Sequence, residues 1–150
     1  MHTLYLGLGA NLGDRVATLR KAIGALADEV GAVDRVSSFY TTRPWGFRSD
    51  NDFVNCCVRM TTALSPRQVL GATQDIERRL GRTAKSHDGH YADRVVDIDI
   101  LLYDDLHLDE PDLRIPHPLM TRRDFVMRPL SEIMDGAPGP ADGRGGGTEA

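Results

Sequence analysis

Cysteine is scarce in this 150-residue chain: Cys56 and Cys57 are the only two, and they are adjacent. Neighbours on a strand point to opposite faces and rarely meet the geometry of a disulfide. Two reduced, strand-borne thiols are therefore expected, in a cytoplasmic protein. No zinc-type cysteine spacing occurs. No stretch approaches the ~18 apolar residues of a membrane span, and the N-terminus lacks a basic stretch followed by a long apolar run, so no secretory signal is expected. A basic surplus is missing too. Net charge is −4, which argues against a global attraction to nucleic acid or anionic membrane. Any anionic ligand must be held by a local basic cluster. A Walker A lysine motif is absent, and Gly7, Gly9 and Gly13 miss the dinucleotide fingerprint by one position. No Ser–His–Asp order stands out.

What is present reads as one globular unit. Apolar residues are 41% and charged residues 27%, and the length supports a single core. Residues 3–9 alternate, with Leu4, Leu6 and Leu8 on one face and Tyr5, Gly7 and Gly9 on the other. A helical stretch begins at Asp14 and carries Val16, Leu19, Ile23, Leu26 and Val30, with Gly31 as its expected C-terminal cap. Residues 33–40 read as a second strand, and 41–51, with Pro44, Trp45 and Gly46, as a loop. Residues 53–62 alternate again. Ser65-Pro66-Arg67-Gln68 is a helix start with a capping box, and Gly81 ends that helix. Residues 82–93 are polar and aperiodic, a mobile loop by expectation. Residues 95–103 form an apolar strand interrupted by two aspartates, 116–118 a rigid turn, and 123–133 a short helical or irregular closing segment. The folded unit is placed at 1–135, followed by a disordered Gly/Pro-rich tail, 136–150. Strand, helix, strand, strand, helix, strand implies an α+β sandwich of ferredoxin-like type. Its helices pack on one face of an antiparallel sheet, leaving the other face, with its loops, for the active site.

Asp97 and Asp99 share one face of their strand, roughly 6–7 Å apart along the chain. Their mutual repulsion favours a cation between them. Magnesium suits them, because it takes one or two carboxylates and completes its shell with water and phosphate oxygens; two carboxylates also serve a two-metal site. A solvated sheet face with alternating polar residues is the other reading of the pair. Arg78, Arg79, Arg82 and Lys85 lie at or after the second helix, Arg94 just before the pair, and Arg122, Arg123 and Arg128 near the end of the unit. Arginine grips phosphate with paired hydrogen bonds, although helix ends carry arginine anyway. His117, held between Pro116 and Pro118, is either a phosphate donor or an exposed loop histidine. Phe53 and Asn55 share a face and suit a flat heterocycle, one stacking and one hydrogen-bonding, with Trp45 and Phe125 as further stacking groups. Gln74 and Glu77, one turn apart, face the same ligand or simply water.

Six stretches in order resemble the 6-hydroxymethyl-7,8-dihydropterin pyrophosphokinase family of folate biosynthesis. They are Tyr5-Leu6-Gly7-Leu8-Gly9-Ala10-Asn11-Leu12-Gly13, Ser37-Ser38-Phe39-Tyr40-Thr41-Thr42 with Pro44-Trp45-Gly46, Phe53-Val54-Asn55, Ile76-Glu77 with Leu80-Gly81-Arg82, Arg94 with Asp97-Ile98-Asp99-Ile100-Leu101, and Ile115-Pro116-His117-Pro118 with Arg123, Phe125 and Pro129-Leu130. The resemblance covers about residues 3–133. It implies transfer of pyrophosphate from ATP to the pterin hydroxymethyl oxygen, with release of AMP. It further implies Asp97 and Asp99 as ligands of two Mg2+ ions, and Arg82, Arg94 and Asp97 as catalytic residues. ATP would be held by Gln74, Glu77, Lys85, Arg94, Ile100, His117 and Arg123. The pterin would be held by Thr42, Pro44, Trp45, Phe53, Asn55 and Phe125. The chain departs from the family at Ala84, where a second basic residue is common, and at Asp93, where proline is common; both bear on the ATP loop. ATP and the pterin are the expected partners, with no nucleic acid, membrane or obligate protein partner. The alternative is a non-catalytic pterin- or nucleotide-binding module on the same fold, which leaves Asp97, Asp99 and Arg94 without work.

Overall fold

The structure is a computed structural model and describes residues 1–42, 52–81, 95–118 and 120–134. Its elements are β1 (His2–Ala10), α1 (Arg15–Glu29), β2 (Gly31–Val36), β3 (Tyr40–Thr42), β4 (Phe53–Thr62), α2 (Pro66–Gly81), β5 (Asp97–Tyr103), β6 (Leu108–Glu110), β7 (Leu113–Ile115), a 3-10 turn (Met120–Arg122) and α3 (Asp124–Ile133). The main sheet runs β2-β4-β1-β5, with β3 also on β4, and every pairing is antiparallel. This is the ferredoxin-like arrangement that the element order implies.

Alternation sorts the strands into two apolar layers. Leu4, Leu6, Leu8 and Ala10 of β1 join Val54, Cys56, Val58 and Met60 of β4 and Ile98 and Ile100 of β5. Leu19, Ala22 and Leu26 of α1 and Val69 and Ile76 of α2 close this layer. Tyr5, Cys57 and Leu101 face the other way, against Val126, Leu130 and Ile133 of α3. The closing segment is thus a true helix on the second face. That face is divided: one part is core under α3, and the rest carries Asp97, Asp99 and Asn55. Cys56 and Cys57 are free, buried, and in different layers, as adjacent strand residues must be.

Local chemistry explains the element boundaries. Gly13 has φ of 65°, and the Asp14 side chain accepts from the Ala17 N–H at 3.1 Å, starting α1. For α2 the capping box is complete: the Gln68 N–H donates to Ser65 Oγ at 3.2 Å and the Ser65 N–H to Gln68 Oε1 at 2.8 Å.

Two expectations are corrected, and two features were not anticipated. Gly31 is no left-handed cap; it is the first residue of β2, with Val30 as the cap. A Cβ there would lie 2.1 Å from the Thr61 backbone oxygen, so close approach explains the glycine. The second strand, expected as one piece, is two. Between Val36↔Val58 and Tyr40↔Asn55 this strand advances four residues while β4 advances three, so one residue bulges out. β2 itself slips once more between Val33 and Arg35, and a further irregularity lies in β5, where Leu6 pairs with Ile100 but Tyr5 with Leu102. The extra residue, Leu101, reverses the alternation, so that Leu102 lies with the α3 layer and Tyr103 with the α1/α2 layer. Finally, the β6–β7 hairpin was not anticipated, because three-residue strands are too short to show a period. Arg67 at the start of α2 pairs with Asp112 at 2.8 Å, and with Glu110, and so pins the hairpin.

Gly31→Ala should destabilise the fold by about 1–3 kcal/mol through overpacking against the β4 backbone. A urea midpoint equal to that of the parent chain would contradict the close-approach explanation.

Candidate active site

The site is assembled by register. Gly9 of β1 pairs with Asn55 of β4 on one side and Asp97 of β5 on the other. One step along, Gly7 pairs with Cys57 and Asp99. Each row therefore reads carboxylate, glycine, then Asn55 or Cys57. With strands about 4.8 Å apart, Asp97 and Asn55 stand about 10 Å apart across a strip without side chains. A Cβ on Gly9 would meet Asn55 Oδ1 at 2.7 Å and Phe53 Cδ1 at 3.5 Å. One on Gly7 would touch the Leu101 side chain at 3.4 Å. The glycines keep the floor open, a role the sequence reading passed over. The signal was glycine at period two inside a strand, which marks close approach by another group.

Asn55 is buried and Phe53 half-buried at the open end of β4. Tyr40, Thr41 and Thr42 of β3 pair with Asn55, Val54 and Phe53, so the Thr42 backbone lies beside Phe53. Phe125, near the start of α3, packs against the second apolar layer, and the Arg123 guanidinium lies 5.5 Å from its ring centroid. Phe53, Asn55 and the Thr42 main chain are thus neighbours on β3 and β4, and Phe125 and Arg123 are neighbours at the start of α3.

Asp97 and Asp99 are both half-buried on β5. Between them the Ile98 N–H donates to Glu77 Oε2 at 2.6 Å. Glu77 of α2 therefore clamps the peptide that joins the two aspartates, a structural task beyond its expected contact with ATP. Gln74 is exposed one turn earlier on α2. The Ile100 side chain is buried in the α1/α2 layer, so this residue offers a ligand only its main chain. Residues two apart on a strand direct those groups to the same edge, so the Ile100 main chain lies on the edge where Glu77 holds the Ile98 N–H.

The His117 N–H donates to the Leu101 carbonyl at 3.1 Å, and the Ile115–Pro116 peptide is cis. The turn is thereby tied to the end of β5. Burial pushes the half-buried His117 ring below its ordinary 6.5; Arg123 lowers it further, and Asp97 opposes both. That mutual influence places His117, Arg123 and Asp97 in one neighbourhood. Burial also raises the Cys56 thiol to about 12, and raises Cys57 with help from Cys56, Glu132 and Asp99, so neither thiol is a nucleophile at neutral pH.

Among the described residues no third His, Cys, Asp or Glu joins the aspartate pair as a metal-binding group. A pair of hard carboxylates fits magnesium carrying water and phosphate oxygens, and does not fit zinc. Pro44, Trp45, Arg82, Lys85 and Arg94 lie outside the described residues, as do Ala84, Asp93 and the tail 136–150; the Thr42 side chain is likewise not described.

The family model for 7,8-dihydro-6-hydroxymethylpterin-pyrophosphokinase matches residues 5–135. The chain belongs to that pyrophosphokinase family. A 2-amino-4-hydroxy-6-hydroxymethyldihydropteridine pyrophosphokinase of Porphyromonas gingivalis is 48% identical over 134 residues, covering 89% of this chain and 91% of that protein. The Bacillus subtilis protein of the same name is 40% identical, covering 86% and 76% respectively. The Aquifex aeolicus one is 38% identical, covering 89% and 81%. Among solved structures, an HPPK-DHPS protein crystallised in complex with substrates matches with a TM-score of 0.67 at 15% identity, over 88% of this chain and 40% of that one. At that identity the likeness establishes the fold, and the pyrophosphokinase chain spans about two fifths of the longer protein.

As pH falls below 6.5, the unfolded chain takes up a proton at His117 that the folded chain, with its lowered value, does not. Stability of the ligand-free protein should therefore decline as pH drops below 6.5, and His117→Gln should flatten that decline. Parallel slopes for the two proteins in chemical denaturation at several pH values would count against a half-buried His117 with a lowered pKa.

Proposed function

We propose that the face bounded by Asp97, Gly9 and Asn55 is where this pyrophosphokinase moves the terminal diphosphate of ATP to 6-hydroxymethyl-7,8-dihydropterin. The hydroxymethyl oxygen forms the new bond to the β-phosphorus, the α–β bridge breaks, and AMP leaves with the bridging oxygen. The chain is an ATP-dependent diphosphotransferase of folate biosynthesis. One observation carries the placement: the register that sets the carboxylates of β5 and the amide of β4 on opposite sides of a glycine floor. Donor and acceptor can then lie side by side on one rigid sheet, which favours in-line transfer by proximity.

Asn55 would read the hydrogen-bonding edge of the pterin with the main chain near Thr42 and Pro44. Phe53 and Phe125 would stack on its ring, with Trp45 nearby. Asp97 and Asp99 would hold magnesium, two ions by the family expectation, and bound metal offsets charge on the triphosphate and fixes its orientation. Glu77 keeps the two aspartates in place through the Ile98 N–H. Neutral His117 can hydrogen-bond a phosphate oxygen without carrying charge, and Arg123 supplies charge beside it. Arg82 and Arg94 would neutralise the developing charge, and Gln74, Lys85 and the Ile100 main chain would complete the ATP site. Asp97 is also a candidate to take the hydroxyl proton. A non-catalytic binding module is disfavoured, since relatives at 38–48% identity bear the enzyme's name over most of the chain. Cytoplasmic residence is part of the proposal; among the described residues no helix is long and apolar enough to cross a membrane.

The nucleotide product is the first test. Incubation with ATP, Mg2+ and 6-hydroxymethyl-7,8-dihydropterin should yield AMP in step with the pterin diphosphate; accumulation of ADP would overturn the transfer assigned here. Asp99→Asn should lower kcat by about 10²-fold or more, the scale seen on removing one charge-stabilising group. Pterin affinity without nucleotide should change less than about twofold, because separated sites act nearly independently. Retention of near-normal turnover at limiting Mg2+ would remove Asp99 from the metal site.

A further inference from the structure

Glu132 lies near the end of α3. Both of its carboxylate oxygens are engaged by one short segment. The Ser38 N–H donates to Oε1 at 2.7 Å, and the Tyr40 hydroxyl donates to Oε2. One turn earlier on α3, the Arg128 guanidinium lies 5.3 Å from the Tyr40 ring centroid. One residue later, the Ile133 carbonyl accepts from Arg35 Nη1 of β2 at 3.0 Å. The end of α3 thus grips the chain on both sides of the β2–β3 break.

That break is where β4 alone holds the chain least well. At the bulge, Ser37 replaces a regular ladder step: its N–H donates to the Cys57 carbonyl at 2.9 Å, and its Oγ accepts the Cys57 N–H at 2.9 Å. Beyond it β3 is three residues long, too short to fix its own position firmly. Yet Tyr40 sits directly opposite Asn55, and Thr42 opposite Phe53. Whatever sets the position of Tyr40 also sets the backbone at Thr42 relative to the groups proposed to read the acceptor. The other end of α3 carries Phe125 and Arg123. One helix therefore spans from a stacking wall to the segment bearing the reading edge.

We infer that Glu132 is a positioning residue for the acceptor half of the site, holding β3 against Asn55 through Ser38 and Tyr40. It touches neither reacting atom; it acts through the strand. The inference rests on the reading of Thr42, Phe53 and Asn55 as the pterin wall. Charge-assisted hydrogen bonds suit this task, because a carboxylate accepts two donors at fixed geometry from a helix that is itself packed.

The test separates the two substrates. Glu132→Ala leaves two donors without their acceptor and should weaken pterin affinity about tenfold, by direct binding and by KM. Affinity for ATP with Mg2+ should stay within about twofold, and kcat at saturating pterin should stay close to the parent value. Glu132→Gln keeps one oxygen for Ser38 and an amide that can donate to the Tyr40 oxygen, and should recover most of the loss. Tyr40→Phe removes one of the two bonds and should give an intermediate loss; it carries the test if the alanine variant fails to fold. A lower Tm with both substrate affinities unchanged would reduce Glu132 to a general stabiliser and overturn the inference. So would equal losses for pterin and ATP, or a glutamine variant no better than alanine. Asn55→Ala separates the premises: if it leaves pterin affinity unchanged, the acceptor wall itself is misassigned, whatever Glu132 does.

Discussion

The register of β1 between β4 and β5 is the constraint on which the rest of this molecule depends. A strand alternates its faces at every residue, so a slip of one position exchanges core and solvent for the whole strand. In β1 the register is held by Leu4, Leu6 and Leu8, which are almost wholly withdrawn from water beneath α1 and α2. The same alternation delivers Gly7 and Gly9 to the opposite face, between Asp97 and Asp99 on one side and Asn55 and Cys57 on the other. Burial of leucine on one face therefore places carboxylates, amide and open floor on the other. Packing energy on the helix side supports the geometry on the ligand side.

The second face divides its surface between stability and chemistry. Tyr5, Cys57 and Leu101 are covered by Val126, Leu130 and Ile133, while Gly7, Asn55 and Asp99 lie next to them along the same faces of their strands. α3 is the divider. Its start presents Phe125 and Arg123, and its end grips Ser38 and Tyr40 through Glu132. The bulges at both margins serve this division. One turns β2 into β3, alongside Asn55 and Phe53 of β4; the other ends the Asp97–Leu101 alternation, and the Leu101 carbonyl receives the His117 N–H. Bulges commonly re-aim side chains beside active sites.

Charge in the site is handled by partners on neighbouring elements. The two carboxylates on β5 repel each other, and Glu77, a third acid, approaches the strand between them. It does so by accepting the Ile98 N–H, which turns a potential repulsion into a clamp on the strand edge. Burial and Arg123 both hold the His117 ring below its ordinary range, with Asp97 opposing them.

Much of this was readable from residue order. Alternation in residues 3–9 and 53–62, the capping box at Ser65 and Gln68, and the cap at Asp14 are local patterns, and local patterns fix local structure. Asp97 and Asp99 sharing a face follows from the period of a strand, and the family was legible because its short stretches keep their order. Four features were not legible, each for the same reason. Gly31 is glycine because of a carbonyl on β4, the break at Ser37 exists because β4 runs straight past it, the Leu101 bulge is a mismatch between two strands, and Glu132 matters because of Tyr40, 92 positions away. Sequence by itself determined which residues belong to strands and helices and which faces they carry, since periodicity and capping act within a few residues. Only the tertiary structure decided which faces meet, that Asp97 and Asn55 flank one glycine, and that α3 holds Ser38 and Tyr40 through Glu132, because register and packing are set by partners distant in the chain.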